Sequence, residues 1–333
     1  MATTKKKAAP KKAAAKTKSH EFQAEVAKLL QLMVHSVYSE REVFLRELIS
    51  NAADACDKLR YKALQSPDLL KGDGDLKINI AVDKAAKTLT VTDNGIGMSQ
   101  DEMVENLGTI ARSGTQAFME QATSSDADIN LIGQFGIGFY SAFMVAGEVS
   151  VTSRKAGSKE AWTWTSDGAG SFTIEPSKGD DAPARGTIIT LKIRDDAAEF
   201  LEDGRAQHII TTYSDHIAHP IYLAGENETS EQLNSASALW TRSKSDITED
   251  QHKEFFGHVS GSYSDPALTL HYKAEGRNEY TVLLYVPSEP PFDLFDPERR
   301  GRQKLYVRRV FITGDAELLP PYLRFVRGVI DSE

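Results

Sequence analysis

The chain has 333 residues, 40% of them hydrophobic and 26% charged, with a formal net charge of −9. That length suits about two domains, and the apolar share suffices for packed cores. A single cysteine, Cys56, excludes an internal disulfide framework and suits the cytosol; no apolar stretch is long enough to span a membrane, no signal-peptide pattern is present, and none of the eight histidines stands in a metal-ligand spacing.

Met1 to Lys18 carries seven lysines, no acid, and otherwise mostly Ala, Thr and Pro. Such a segment cannot bury a core and is expected to be disordered. Without it, 32 basic residues face 48 acidic ones, so the body carries about −16 and the tail +7. The tail resembles the lysine-alanine-proline tails of DNA-compacting proteins. Two readings stand: a solvated extension, or salt-sensitive contact with polyanions such as nucleic acid.

Phe44 to Ala55 reads as a helix. Leu45, Leu48, Ile49 and Ala52 form an apolar stripe, and Glu47, Asn51, Asp54 and Lys58 form a polar row on the opposite face. Ser39 with Glu42 has the spacing of a capping box at the helix start. A carboxylate beside an amide oxygen suits chemistry that needs a base and a hard cation together.

Leu76, Ile78, Ile80 and Val82 alternate with polar or small residues, and Leu89 and Val91 do so again after a polar connection, which predicts a hairpin. It feeds Thr92-Asp93-Asn94-Gly95-Ile96-Gly97-Met98. Asp93 is therefore placed at a strand end, where a pocket-floor carboxylate can accept from an exocyclic amine such as that of adenine. The glycines permit sharp turns and close approach of a flat ligand.

Asn106 to Thr115, continuing through Ser124 to Asp128, is polar and bracketed by glycines, as a lid or a surface excursion would be. Gly133-Gln134-Phe135-Gly136-Ile137-Gly138 then opens the apolar run Phe139 to Val145, read as a buried helix. Glycines before a helix start present N–H groups to an anion. No Gly-Lys-Ser/Thr follows, so this is not a P-loop. Val149 and Val151, then Trp162, Trp164, Phe172 and Ile174, give further strand patterning. Arg185-Gly186-Thr187 opens a strand with Ile189, Leu191 and Ile193 on one face, where the Thr187 hydroxyl could bond near Asp93 or merely edge a sheet.

The polar stretch from Gly225 to Gln232 marks a domain boundary, and Leu239-Trp240-Thr241-Arg242 starts a new pattern. Leu268 to Tyr272, Tyr280 to Val286 and Lys304 to Ile312 read as strands, and Leu318 to Ile330 as a helix. Trp240 and Phe292 to Phe295 are candidates either for an exposed apolar binding surface or for buried packing.

In this order, Glu-x-x-x-Asn, Asp-x-Gly-x-Gly, a lid, Gly-x-x-Gly-x-Gly and Gly-Thr resemble the ATP-binding fold shared by gyrase, heat-shock protein 90, histidine kinases and MutL. The wording at Tyr38 to Ala55, Asn106 to Ala117, Ile132 to Ser141 and Pro287 to Asp296 is similar to the heat-shock protein 90 family, bacterial type, from about His20 onward. The resemblance implies an α/β (α+β) two-layer sandwich followed by a partial α/β middle domain. It divides the chain into a tail at 1–19, an ATP-binding domain at 20–232 with a lid at about 106–138, and the first part of a middle domain at 233–333.

The resemblance also implies roles. Asp93 reads adenine, with Thr187 helping through a water, and Gly97 and Met98 line that pocket. Asn51 holds magnesium through its amide oxygen, and Glu47 is the general base or water orienter. Asn106 and Phe139 flank sugar and phosphates, Gly136 and Gly138 offer N–H groups to the phosphate chain, and Asp54 is a further cofactor-binding position. The expected cofactors are ATP or ADP and magnesium. The expected activity is slow ATP hydrolysis by a cytoplasmic chaperone acting on unfolded client proteins.

The family's further middle-domain arginine lies in a leucine-proline-leucine-asparagine region expected just after Glu333. Its homodimerising C-terminal domain lies beyond that. This chain is accordingly expected to hydrolyse weakly. A non-catalytic nucleotide-binding fragment or scaffold is the alternative, and a DNA-linked ATPase a third reading that the acidic body opposes.

Overall fold

The computed structural model describes residues 40–71, 73–109, 131–132, 136–177, 182–224, 230–261, 264–276, 279–291, 294 and 301–332. The lysine-rich tail, Ser39, most of the 106–138 segment, the first three residues of the 133–138 glycine loop, and 225–229 of the boundary lie outside them.

Helix α1 runs Val43–Gln65. Leu45, Leu48 and Ile49 are fully buried and Ala52 nearly so, as the period-3.6 stripe predicts. Burying each of the larger three contributes about 1.5–3 kcal/mol relative to exposure. Phe44 adds an edge-on contact with Phe200 at 5.1 Å between ring centres. Glu42 stands at the helix start with no side-chain cap bond. Its carboxylate instead accepts from the Tyr213 hydroxyl and pairs with Arg205 at 2.6 Å. Pro67 at the head of a short 3-10 turn stops the helix from continuing.

The first sheet has eight strands in the order β5-β4-β3-β6-β2-β1-β7-β8. They are β1 (Ile78–Asp83), β2 (Thr88–Asp93), β3 (Ala146–Arg154), β4 (Ala161–Ser166), β5 (Thr173–Pro176), β6 (Gly186–Ile193), β7 (Ile221–Ala224) and β8 (Ser230–Gln232). All pairings are antiparallel except β1 with β7. Helix α1, α2 (Gln100–Leu107) and α3 (Asp203–Tyr213) supply the helical layer, and α1 packs on β1, β2 and α3. This is the α/β two-layer arrangement that the motif order implies. The apolar run after the glycine loop is buried from Phe139 to Met144, but it forms a seven-residue 3-10 helix, Gly138–Met144.

The second sheet has five strands in the order β12-β11-β13-β10-β9. They are β9 (Pro266–Ala274), β10 (Tyr280–Pro287), β11 (Arg302–Val307), β12 (Val310–Thr313) and β13 (Arg327–Ser332). Helix α4, Glu249–Ser260, begins with a capping box of Thr248 and Gln251 and ends at Gly261 in the left-handed region. Trp240, expected either exposed or packed, is buried at 1% exposure; residues 292–293 and 295 lie outside the described set.

Two expectations need correction here. Leu318 to Ile330 is not a helix: Pro321–Leu323 form a short 3-10 turn, and from Arg327 the chain enters β13, parallel to β11 and antiparallel to β10. Pro320 and Pro321 deny a helix two donors, and Gly328 adopts φ +137, a conformation side chains resist. Lys304 to Ile312 is not one strand but a tight hairpin, with Val307 paired to Val310. Arg308 and Arg309 form its loop, both at positive φ, 49 and 67. That is the pattern of a type I′ turn, which asparagine and glycine favour. Arginine there carries strain of about 1–3 kcal/mol per residue.

The two sheets meet through aromatic contacts. His216 lies edge-on to Trp240 at 4.5 Å and near Tyr306 at 5.6 Å, and Tyr213 approaches Phe311 at 5.9 Å. Val310 belongs to the first core although it comes from β12. No helix among the described residues is long and apolar enough to cross a membrane.

Candidate functional site

Asp93 ends β2 and pairs with Thr187 at the start of β6. It is 5% exposed. Its carboxyl accepts from the Gly95 N–H at 2.9 Å and from the Thr187 backbone N–H. Burial pushes its pKa up to about 7, opposed by those two donors and by Arg185. The Thr187 hydroxyl does not reach for Asp93. It pairs with Ser153 Oγ at 3.0 Å, and Ser153 Oγ in turn accepts from the Met98 N–H at 2.8 Å.

The loop after Asp93 lies tight on α1. The Ile96 N–H donates to the Ala55 carbonyl at 3.0 Å, and a Cβ on Gly95 would come within 2.7 Å of three Ala55 and Cys56 backbone atoms. Gly97 adopts φ +63 with the Arg154 carbonyl against its α-carbon, so only glycine fits. Met98 is half-buried against the core. Cys56 beneath this loop is buried, and burial with Asp93 and Asp57 nearby pushes its thiol pKa up, which leaves it inert.

On α1, Glu47 and Asn51 are one turn apart and both half-buried. Glu47 Oε1 accepts from Arg46 Nη2 at 2.8 Å and Nε at 3.2 Å. Gly138 faces Glu47 so closely that a Cβ there would stand 2.4 Å from Oε2. Gly136, just before it, adopts φ +63. The structure thus brings the glycine loop to the helix carboxylate. Asp54 is buried, and its Oδ1 accepts from the Ile132 N–H at 2.6 Å, so it pins the chain entering the glycine loop. Lys58 is held below the usual ammonium range by burial, with Asp54 opposing.

Asn106 is half-buried near the end of α2, which the Ser99 and Glu102 capping box starts. Tyr140 ties that end to the 3-10 helix by donating to the Leu107 carbonyl at 3.1 Å. Phe139 points into the core, edge-on to Trp164 at 5.6 Å.

Three residues of the site carry no motif signal of their own. Arg185 clamps the Asp93 loop by donating to the carbonyls of Asn94 at 2.9 Å, Leu69 at 2.9 Å and Asp73 at 2.7 Å. Ser153 couples Met98 to Thr187. Arg46 fixes Glu47, and its adjacency in sequence was the one available hint.

Comparison with known proteins agrees with this geometry. Residues 38–173 match the family described as "Histidine kinase-, DNA gyrase B-, and HSP90-like ATPase". The first sheet and its site therefore have the fold of that ATPase class. Residues 225–333 match the family "Hsp90 protein". The chain belongs to the heat-shock protein 90 family. It is 59% identical over 315 residues to "Chaperone protein HtpG" of Paramagnetospirillum magneticum, which spans 94% of this chain and 50% of that protein. The same-named proteins of Rhodopseudomonas palustris and Rhizobium meliloti are 59% and 56% identical, each over 94% of this chain and 50% of theirs. The chain spans about half the length of these curated relatives.

Proposed function

We propose that this chain is the nucleotide-binding part of an ATP-dependent molecular chaperone that acts in the cytoplasm on unfolded or partly folded client proteins. The observation that carries the reading is Asp93, a buried carboxylate held by two backbone donors at the end of β2, in a loop that packs on the helix bearing Glu47. A buried acceptor in that setting suits an exocyclic amine, and ATP is the substrate whose adenine supplies one.

The parts then divide the work. Asp93 takes the amine, Gly97 and Met98 line the base, and Thr187 and Ser153 hold the floor. Gly136 and Gly138 offer N–H groups to the phosphates, with Asn106 and Phe139 beside them. A Cβ on Gly138 would push the Glu47 carboxylate aside, so a glycine there suits a phosphate cradle beside that carboxylate. Asn51 would hold magnesium through its amide oxygen, and the ion would neutralise phosphate charge. Glu47 orients the attacking water and accepts its proton, and Arg46 sets the direction of its carboxylate. Asp54 supports the loop. Residues 20–232 form the ATP-binding domain with a lid at about 106–138, and 233–333 the first part of a middle domain.

Calorimetric titration with magnesium-ATP and ADP, with turnover followed in the same sample, tests this. Glu47→Ala should keep binding and lose about 10²- to 10⁴-fold in turnover. Equal loss of binding and turnover would count against Glu47 as the base. Asp93-dependent binding with no Glu47-dependent turnover would favour a non-catalytic nucleotide-binding scaffold.

A further inference from the structure

A cleft of about 800 Å³ opens between α1 and the second sheet, away from Asp93 and Glu47. Its charge is opposite to that of the molecule. Arg60, Arg242, Lys244, Lys273, Arg308 and Arg309 line it, against the two carboxylates of Asp57 and Asp331, in a chain of net charge −9. Both carboxylates are already engaged. Asp57 accepts from Arg60 at 2.8 Å and from His219 Nε2 at 2.9 Å. Asp331 accepts from Trp240 Nε1 at 2.7 Å and from the Arg309 N–H. Lys273 also reaches Glu279 at 3.6 Å, outside the cleft lining. Basic side chains still outnumber acidic ones around the cleft wall.

Two of the cations are put there against backbone preference. Arg308 and Arg309 occupy a two-residue turn in which both residues adopt positive φ. The surroundings lock that turn: the Arg308 N–H donates to the Ser332 carbonyl at 2.9 Å, and the Arg309 N–H to Asp331 at 3.1 Å. Adjacent guanidinium groups present planar donor forks, which match phosphate oxygens better than single ammonium groups do. The volume is that of a small-molecule site.

We infer that this cleft binds a compact polyvalent phosphate, bridging Arg60 of the first domain to the Arg308–Arg309 turn of the second. The ligand carries two or more phosphate groups, to match cations contributed by three separate elements, α1, the Arg242–Lys244 segment and the turn, around a cleft of this volume. Occupancy would hold the two domains together.

The test is calorimetric titration of the full chain with sodium tripolyphosphate, with and without saturating ADP. The expected result is a site that persists in ADP and raises the melting temperature. Arg308→Asn combined with Arg309→Gly removes both charges and suits the turn. Affinity in that variant should fall about tenfold or more while thermal stability is kept or raised. Arg242→Glu with Lys244→Glu, both exposed, should weaken binding comparably. The lysine-rich tail is intact in every variant, so unchanged affinity in both would put the anion on the tail or elsewhere and overturn the inference. Competition by ADP would place it in the nucleotide pocket, with the same consequence. Tighter binding of hexaglutamate than of tripolyphosphate would overturn the assignment to phosphate.

Discussion

Gly138 lies against Glu47: a Cβ on the glycine would stand 2.4 Å from Oε2 of the carboxylate. The glycine loop thereby limits where Glu47 can point, and Arg46 limits it from the other side. Gly138→Ala should displace the carboxylate. The expected outcome is turnover reduced about tenfold or more with ADP affinity changed far less, since the adenine floor is built from other residues, Asp93, Gly97 and Met98. Steady-state turnover and ADP titration on one preparation check it. An alanine variant with wild-type turnover would show that the carboxylate has room to move.

Asp93 gives a pH dependence of defined sign. Its native pKa is raised to about 7 from an ordinary 3.8. Between those values the native state holds a proton that the unfolded chain has lost. The contribution to stability is full below the unfolded value and is lost as pH rises through the native one. Asp93→Asn should therefore stabilise the protein at pH 8, by up to a few kcal/mol, and have little effect near pH 4. Thermal melts across that range check it, and a flat difference would mean that Asp93 titrates normally. Nucleotide affinity of the unsubstituted protein should fall below pH 7, because the carboxyl must ionise to accept the amine.

Arg185 is coupled to the same titration. It opposes the upward displacement of the Asp93 pKa and ties three carbonyls of the loop. Arg185→Met should move the pH midpoint of nucleotide binding upward and weaken affinity at pH 7. If affinity falls with an unmoved midpoint, Arg185 acts through loop geometry alone.

Asp331 secures the junction of the second sheet with Trp240. Asp331→Ala orphans the buried indole N–H and frees the Arg309 backbone. Each buried donor left unsatisfied costs about 1–3 kcal/mol, so the variant should unfold at clearly lower denaturant. Trp240 emission should shift to the red in the native baseline. An unshifted baseline with unchanged midpoint would show that Asp331 does not stabilise the junction.

The legible parts of the sequence were those whose signal is local. Leu45, Leu48 and Ile49 announce α1 because helix periodicity needs only neighbouring residues. Asp93, Gly95 and Gly97 announce a turn at a strand end for the same reason. Leu318 to Ile330 misleads because Leu319, Leu323 and Val326 have helical spacing while Pro320 and Pro321 forbid the helix. Those apolar residues instead cover one face of β10. The turn at Arg308 and Arg309 was illegible, since nothing in arginine favours positive φ and contacts with Asp331 and the Ser332 carbonyl impose it. Arg185 and Ser153 act through partners far along the chain, which periodicity cannot reveal.

The pairing of Ile78 with Ile221 sets an order of events during synthesis. Strand β1 lies between β2, its hairpin partner, and β7, which the ribosome delivers more than a hundred residues later. At translation speeds of about 5–20 residues per second, that gap lasts roughly seven to thirty seconds. During it, α1 and the β1–β2 hairpin can form from local sequence, but one edge of β1 has no strand to pair with. Ile78 and Ile80, fully buried in the finished sheet, flank that open edge. A nascent chain paused before Ile221 is therefore the species of this protein most prone to association, and a stalled-ribosome series stepped through β7 should show protease resistance appearing abruptly once that strand has emerged.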